Sequence, residues 1–469
     1  MRIESALVLA AAAGCAGRDV SAVDPDRSTE QPTVIPVSMN RQVDILFVVD
    51  DSHSMRHEQE SLAVNFPRFI DVLESVQGGL PDIHLGVVST NVGTGPSGGG
   101  GDSCAGNGDD GVLQVPGGCP PLTDGARYIS DVEIGEDSGT RAINYTGDLA
   151  AQFSCMAELG TGGCGFEQPL EAAMRALDPE SDANAGFLRD DAYLMVVFLT
   201  DEDDCSAVDG AMFDPAQDDR DAPLGELSSF RCFEFGTTCD QAAERALGGR
   251  TGCVPGDDNT AYMTGIEPYA EALKSLKPDP SKVLVAAISA DAAPVSVSID
   301  PDRDQLRVDP ACVVCPGGGS DGCSLDPADP GSALVAAAPA VRLRALLEQF
   351  PQRSKWQDIC AYNPATGDVD LSGALEQIAQ SYIDVPASWC LHGDLAAPLE
   401  CSVSEITRPG APDEVEVTVP PCADHDPTCY RIVPDASCGT ESNLALEIDR
   451  DGPRPSESTE VVVRCLVDG

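Results

Sequence analysis

Three side chains at alternate positions, Asp50, Ser52 and Ser54, bring oxygen donors together in the run Val49-Asp50-Asp51-Ser52-His53-Ser54-Met55. A carboxylate and two hydroxyls converging from one tight loop suit a small hard cation such as Mg²⁺, which prefers octahedral geometry and keeps several waters. The same residue types also cap helices, so the spacing alone leaves both uses open. A second acidic run follows at Thr200-Asp201-Glu202-Asp203-Asp204. Each run comes directly after an apolar stretch that reads as a buried strand. Asp50 and Asp201 are therefore expected at the carboxyl edge of one sheet, where open α/β sheets place their ligands. Arg56 is the only nearby Lys or Arg and lies past the motif. Two carboxylates at one edge are then poorly compensated unless a cation sits between them.

The elements that must position these groups are legible as apolar periodicity. Residues 43–49, 83–88, 194–199 and 283–288 are continuous apolar runs, and helical spacing recurs over 61–73, 170–177, 266–276, 341–350 and 371–383. Such alternation predicts an α/β domain with a mostly parallel sheet covered on both faces. Three long inserts interrupt it, at about 92–150, 202–262 and 290–335, all rich in Gly, Asp, Pro and Cys and expected to be stapled by disulfides.

With both acidic runs on strand ends, the sequence resembles the von Willebrand factor type A (vWA) domain and its metal-ion-dependent adhesion site. The resemblance covers roughly residues 41–385. Asp50, Ser52, Ser54 and Asp201 match the family pattern position by position, and Thr161, in the loop before residue 170, is the threonine donor the resemblance implies. Glu202 stands where the family has Gly, and Asp203 and Asp204 add charge. The resemblance implies Mg²⁺, or Mn²⁺ or Ca²⁺, at a site that binds a protein or extracellular-matrix partner through the partner's carboxylate. It implies binding and not an enzyme. The five histidines, His53, His57, His84, His392 and His425, form no metal-enzyme pattern, and no nucleophile, base and orienting group can be assembled from motifs. A metal-assisted hydrolase at the same acidic edge, or a structural envelope protein with a degenerate site, are the alternative readings. Asp300, Asp302 and Asp304 begin like a calcium loop, but Gln305 and Ala311 stand where Gly and Glu are required.

The N-terminus reads as an export signal. Residues 1–14 carry one arginine and a short apolar run, and Ala12-Ala13-Gly14-Cys15 resembles the lipobox of bacterial lipoproteins, with Cys15 the lipidated residue. Residues 15–40 are polar and read as a flexible tether. Of 19 cysteines, 18 remain after Cys15, an even number that can pair fully in an oxidising compartment. Cys312, Cys315 and Cys323 could suggest a zinc knuckle, but a fourth ligand is not evident, so disulfides are expected. From 386 to 469 six cysteines punctuate short β-branched runs, which predicts a small disulfide-rich β domain. A net charge of −50 would repel nucleic acid and anionic membrane surfaces. The expected setting is the bacterial cell envelope, as an outer-membrane lipoprotein touching the membrane through its anchor only.

Overall fold

The structure is a computed structural model that describes residues 30–36, 42–75, 79–96, 99–134, 140–241, 245–256, 262–301, 303–317, 323–325, 332–383, 389–391, 400–407, 414–422, 428–434, 444–450 and 459–466. The expected signal (1–14), Cys15 and most of the expected tether lie outside these residues. The principal strands are β1 (Glu30–Pro36), β2 (Gln42–Val49), β3 (Asp82–Ser89), β4 (Ile129–Glu133), β5 (Arg141–Ile143), β6 (Tyr193–Leu199), β7 (Val283–Ser289), β8 (Ser354–Asp358), β9 (Cys401–Thr407), β10 (Val415–Val419), β11 (Thr428–Pro434), β12 (Leu444–Arg450) and β13 (Thr459–Leu466). The helices are α1 (Arg56–Glu74), α2 (Leu149–Ala157), α3 (Pro169–Ala176), α4 (Phe230–Gly236), α5 (Ile266–Ser275), α6 (Val341–Glu348) and α7 (Ser372–Ile383). None of them is long and apolar enough to cross a membrane.

The four apolar runs are β2, β3, β6 and β7. They lie side by side because residues apolar on both faces can be satisfied only in the interior of a doubly covered sheet. Parallel strands follow the order β8-β7-β6-β2-β3, and β4 and β5 extend the sheet antiparallel at one edge. Successive residues of a strand face opposite sides. Val43, Ile45, Phe47 and Val49 accordingly pack with residues of α1, α2 and α7. Leu46 and Val48 pack with α3, α5 and α6. The mixed α/β class with a mostly parallel sheet is thus as the sequence predicts.

The insert at 92–150 differs from the expectation of a stapled loop. It supplies β4, β5 and α2 to the domain. These strands escape a search for apolar runs because they are short and polar. Asp131 of β4 is buried, where Tyr145 Oη donates to its Oδ2 at 2.6 Å and Arg141 pairs with its Oδ1. Staples are present as well. Eight disulfides join described residues, among them Cys104–Cys164 and Cys119–Cys155, which tie the first insert to the segment after it, and Cys205–Cys232 within the second. Cys312 pairs with Cys360 and Cys315 with Cys323, which consumes the thiols a zinc knuckle would need. Such bridges persist in oxidising, extracytoplasmic compartments.

The described residues after 386 form two small sheets. One runs β1-β13-β9-β10, and the other joins the short strand Trp389–Cys390 to β12 and β11. Val403, Leu446, Val461 and Val463 make their shared core, with Cys401–Cys465 linking β9 to β13. Strand β1 comes from within the stretch expected to be a tether. Its Thr33-Val34-Ile35 centre favours extended backbone, and Pro32 and Pro36 are tolerated because β1 is an edge strand, paired only with β13. The small domain is therefore built from both ends of the chain.

Candidate functional site

The parallel register positions the site. Val49 aligns with Ser89 and with Leu199. The next residue of each strand, Asp50, Thr90 and Thr200, continues the row, and the alternation turns these three side chains toward the face covered by α3. Asp50 is wholly buried. Its Oδ1 accepts from Ser52 N at 2.7 Å and its Oδ2 from Thr200 Oγ1 at 2.6 Å. Ser52 and Ser54 lie with hydroxyls 3.2 Å apart. Neither caps α1, whose N-cap is Met55 with no side-chain bond, so the capping use of these serines is not the one adopted. Asp201 is buried beside them, with Ser54 close enough to steady its charge while its Oδ1 has no hydrogen-bond partner.

A second loop closes over this row. Gln59 on α1 donates to the carbonyls of Asp50 and Gly160 and accepts from Gly160 N. Gly163 N donates to Asp51 O at 2.8 Å, and the Cys104–Cys164 disulfide anchors the next residue. A side chain at 163 has no room, since a Cβ there would lie 2.1 Å from Asp51 Oδ1. Gly163→Ala is expected to cost about 1–3 kcal/mol in denaturant unfolding, because the added methyl must push the Asp51 carboxylate or the loop aside. Thr161 sits half-buried in this loop, and among the described residues no hydrogen bond ties its hydroxyl to Asp50, Ser52, Ser54 or Asp201.

The acidic groups here far outnumber those singled out from sequence. Glu58 on the first turn of α1 and Glu167 just before α3 are buried, and neither carboxylate has a hydrogen-bond partner. Glu202 faces Glu167. With Asp50, Asp51 and Asp201 these make six carboxyl groups around one sheet edge, and none forms a salt bridge among the described residues. Burial, with repulsion from neighbouring carboxylates and against a weaker pull from Arg303 on Glu202 and from Arg56 on Glu58, pushes Asp51 and Glu202 up to about 7 and Glu58 up to about 8. It drives Glu167 and Asp201 well above the usual carboxylate range, and raises Asp50 against the hydrogen bonds from Thr200 and Ser52.

The same sheet treats buried aspartates elsewhere quite differently. Asp44, at the other end of β2, meets Arg189 Nε at 2.7 Å and the fully buried Lys277 Nζ at 3.2 Å. Asp204 is paired with the buried Arg342 guanidinium at 3.0 Å. Both Asp44, at the far end of the sheet, and Asp204, three residues past Asp201, are thus given a cation from the protein's own chain. Asp50, Asp51, Glu58, Glu167, Asp201 and Glu202 have no such partner among the described residues, and orphaned, buried, all-oxygen donors are what a hard divalent cation requires. Among the described residues no three of these carboxylates bring oxygens within 4.8 Å of one another; the one group that does, Cys312, Asp358 and Cys360, contains a disulfide and has no free thiol. The edge acids are spread in the way that uncompensated like charges spread.

Glu58 and Glu167 were not apparent from sequence because each lies in a helical or loop context where a solvated glutamate is ordinary. The one available signal was Glu167 standing two residues before the Pro169 that opens α3, in the loop that the resemblance assigns to a donor.

No family model matches the chain, and no curated protein matches it. Among solved structures, the pilus adhesin SpaC from Lactobacillus rhamnosus GG in its open conformation aligns with 95% of this chain at 10% identity and a TM-score of 0.29, covering 43% of the adhesin. The pilus adhesin RrgA from Streptococcus pneumoniae aligns with 95% of this chain at 8% identity and a TM-score of 0.22, covering 59% of it. The chain thus spans less than two thirds of either adhesin. Both scores are too low to carry an argument about fold or partner, so the site stands on its own residues.

Proposed function

We propose that this chain is an exported, lipid-anchored envelope protein of the bacterial outer membrane whose central domain is of the vWA type and binds a protein or matrix partner through a divalent cation, without catalysing a reaction. The observation that carries the reading is that, among the described residues, no salt bridge reaches Asp50, Asp51, Glu58, Glu167, Asp201 or Glu202, whereas Asp44 at the far end of the strand and Asp204 beside the cluster are both paired. Ser52, Ser54, Asp50 and Asp201 would hold the ion, with Thr161 on the loop above. Mg²⁺, Mn²⁺ or Ca²⁺ would supply a positive, exchangeable coordination position for an oxygen of the partner, a carboxylate in the resembling family.

The chain's own residues prepare that position. Thr200 and the Ser52 amide fix the Asp50 carboxylate by hydrogen bonds that favour its charged form against the opposing effect of burial. Gln59 locks the two loops together at backbone level, so the donors are held before any ion arrives. His84 is at the opposite end of its strand beside Asp44, and His57 lies beside Glu60, so neither joins the donors. The surrounding acidity would repel an acidic partner in the ion's absence, so capture should depend on both cation and salt.

Calorimetric titration of Mg²⁺, Mn²⁺ and Ca²⁺ into the metal-stripped full chain, beside Asp201→Ala, tests this. Saturable binding that the variant weakens by about 100-fold or more is expected. Absence of binding, or binding indifferent to Asp201, would show the edge to be architecture only.

A further inference from the structure

The Asp50–Asp201 end accounts for only part of the uncompensated charge. Glu167 and Glu202 form a separate pair on the α3 side of the row, facing each other and sensing Asp50, while Glu58 lies toward Asp201. Glu167 is held firmly. Cys205 N donates to its carbonyl at 2.8 Å, and Gln168 N donates to Thr90 O at 3.1 Å, which pins both sides of the residue to the sheet edge. The Cys205–Cys232 disulfide anchors the segment that carries Glu202. The Glu167 carboxylate is thus fixed in a buried place where the facing Glu202 carboxyl is its polar neighbour and no N–H or hydroxyl donor of the described residues reaches it.

An independent observation points to a ligand. Thr90, fully buried and next to Asp50 in the row, has a hydroxyl with no hydrogen-bond partner. A buried hydroxyl normally finds a partner, and the bond from Gln168 N to Thr90 O sets Thr90 directly beside the backbone of Glu167. Two carboxylates and a hydroxyl close to Asp50 offer an oxygen-only donor set.

We propose that Glu167 and Glu202, with the Thr90 hydroxyl, hold a second divalent cation of the Ca²⁺ class beside the one at Asp50 and Asp201. Glutamate carboxylates that can bind through one or both oxygens, in a flexible all-oxygen set, favour Ca²⁺ over Mg²⁺, which demands tighter octahedral geometry. This proposal rests on the reading of the Asp50–Asp201 end as the first cation site, because two adjacent ions need the shared negative charge of Asp50 between them.

The test is native mass spectrometry and Ca²⁺ calorimetry on the metal-stripped full chain, comparing it with Glu167→Gln, Glu202→Gln and Asp201→Asn. The amide that Glu167→Gln introduces can donate to Glu202, so the fold is expected to survive; a melting temperature in chelator equal to or above that of the parent confirms it. Two Ca²⁺ for the parent and one for each glutamine variant, with Mg²⁺ at least 10-fold weaker at the lost position, are the expected results. One Ca²⁺ for the parent, unchanged by Glu167→Gln and lost in Asp201→Asn, would mean that Glu167 and Glu202 share a proton only; the second site then falls and the first stands. One Ca²⁺ weakened by both kinds of variant would mean a single mixed site and overturn the proposal. No ion at all would remove both readings.

Discussion

Stripping divalent cations from this protein at pH 7.5 should lower its melting temperature by about 10 °C, and the loss should shrink toward zero at pH 5. The magnitude follows from mass action: an ion present at about 1,000 times its dissociation constant contributes about 4 kcal/mol, which for a domain of this size corresponds to a shift of that order. The sign of the pH effect follows from the direction of the acid shifts. Glu58 is raised from 4.5 to about 8, and Asp51 and Glu202 are raised to about 7, first by burial and then by neighbouring carboxylates. A group whose folded value is raised adds stability that is complete below its unfolded value and is lost as pH climbs through the folded one. The metal-free protein should therefore be most stable near pH 4–5 and weaken steadily to about pH 8, with each strongly shifted group worth on the order of a few kcal/mol at about 1.4 kcal/mol per unit. With cation bound the slope should reverse, since deprotonated carboxylates are the ligands. Scanning calorimetry across pH 4.5–8.5, with Ca²⁺ or with chelator, reads both slopes. Parallel curves in the two conditions would refute the coupling of these acids to an ion.

The parallel core and the two acidic strand ends were legible in the sequence because they depend on local pattern. Residues apolar on both faces, such as Ile45-Leu46-Phe47-Val48, have few structural options, and a strand that ends in Asp delivers that Asp to the sheet edge whatever the loops do. The polar edge strands β4 and β5 were not legible. Their stability comes from a tertiary ion pair and a tyrosine hydroxyl on Asp131, which have no periodic signature. Strand β1 was hidden for a related reason: its partner β13 lies more than 400 residues away, and nothing near Val34 marks that pairing. At the site, Asp50, Ser52, Ser54 and Asp201 came from motif and spacing, whereas Glu58 and Glu167 acquire their character only from burial. A glutamate becomes chemically unusual when its neighbours exclude water, and that is a property of packing.

Asp44 and Asp50 sit six residues apart, at the two ends of one strand, and should respond to neutralisation in opposite ways. Asp44 is surrounded by Arg189, Lys277 and His84, and burial already pulls the Lys277 ammonium below its ordinary value while Asp44 holds it up. Replacing Asp44 by Ala leaves a buried ammonium with no counter-charge and an arginine with its main partner gone, so about 3–5 kcal/mol of stability should be lost, with or without divalent cation. Asp50→Asn keeps a carbonyl oxygen for the Ser52 amide and a polar atom for the Thr200 hydroxyl while removing one negative charge from the centre of five others. In chelator the Asp50→Asn protein should be about 1–3 kcal/mol more stable than the parent at pH 7.5, because the deleted charge was opposed and not paired. In Ca²⁺ the order should invert, since the parent gains the ion's binding energy and the variant does not. Urea unfolding of the two variants and the parent, each in Ca²⁺ and in chelator, gives all six values. Destabilisation of Asp50→Asn in chelator to the same degree as Asp44→Ala would mean that Asp50 is an ordinary structural acid, held by its hydrogen bonds, and that the carboxyl edge has no need of a cation.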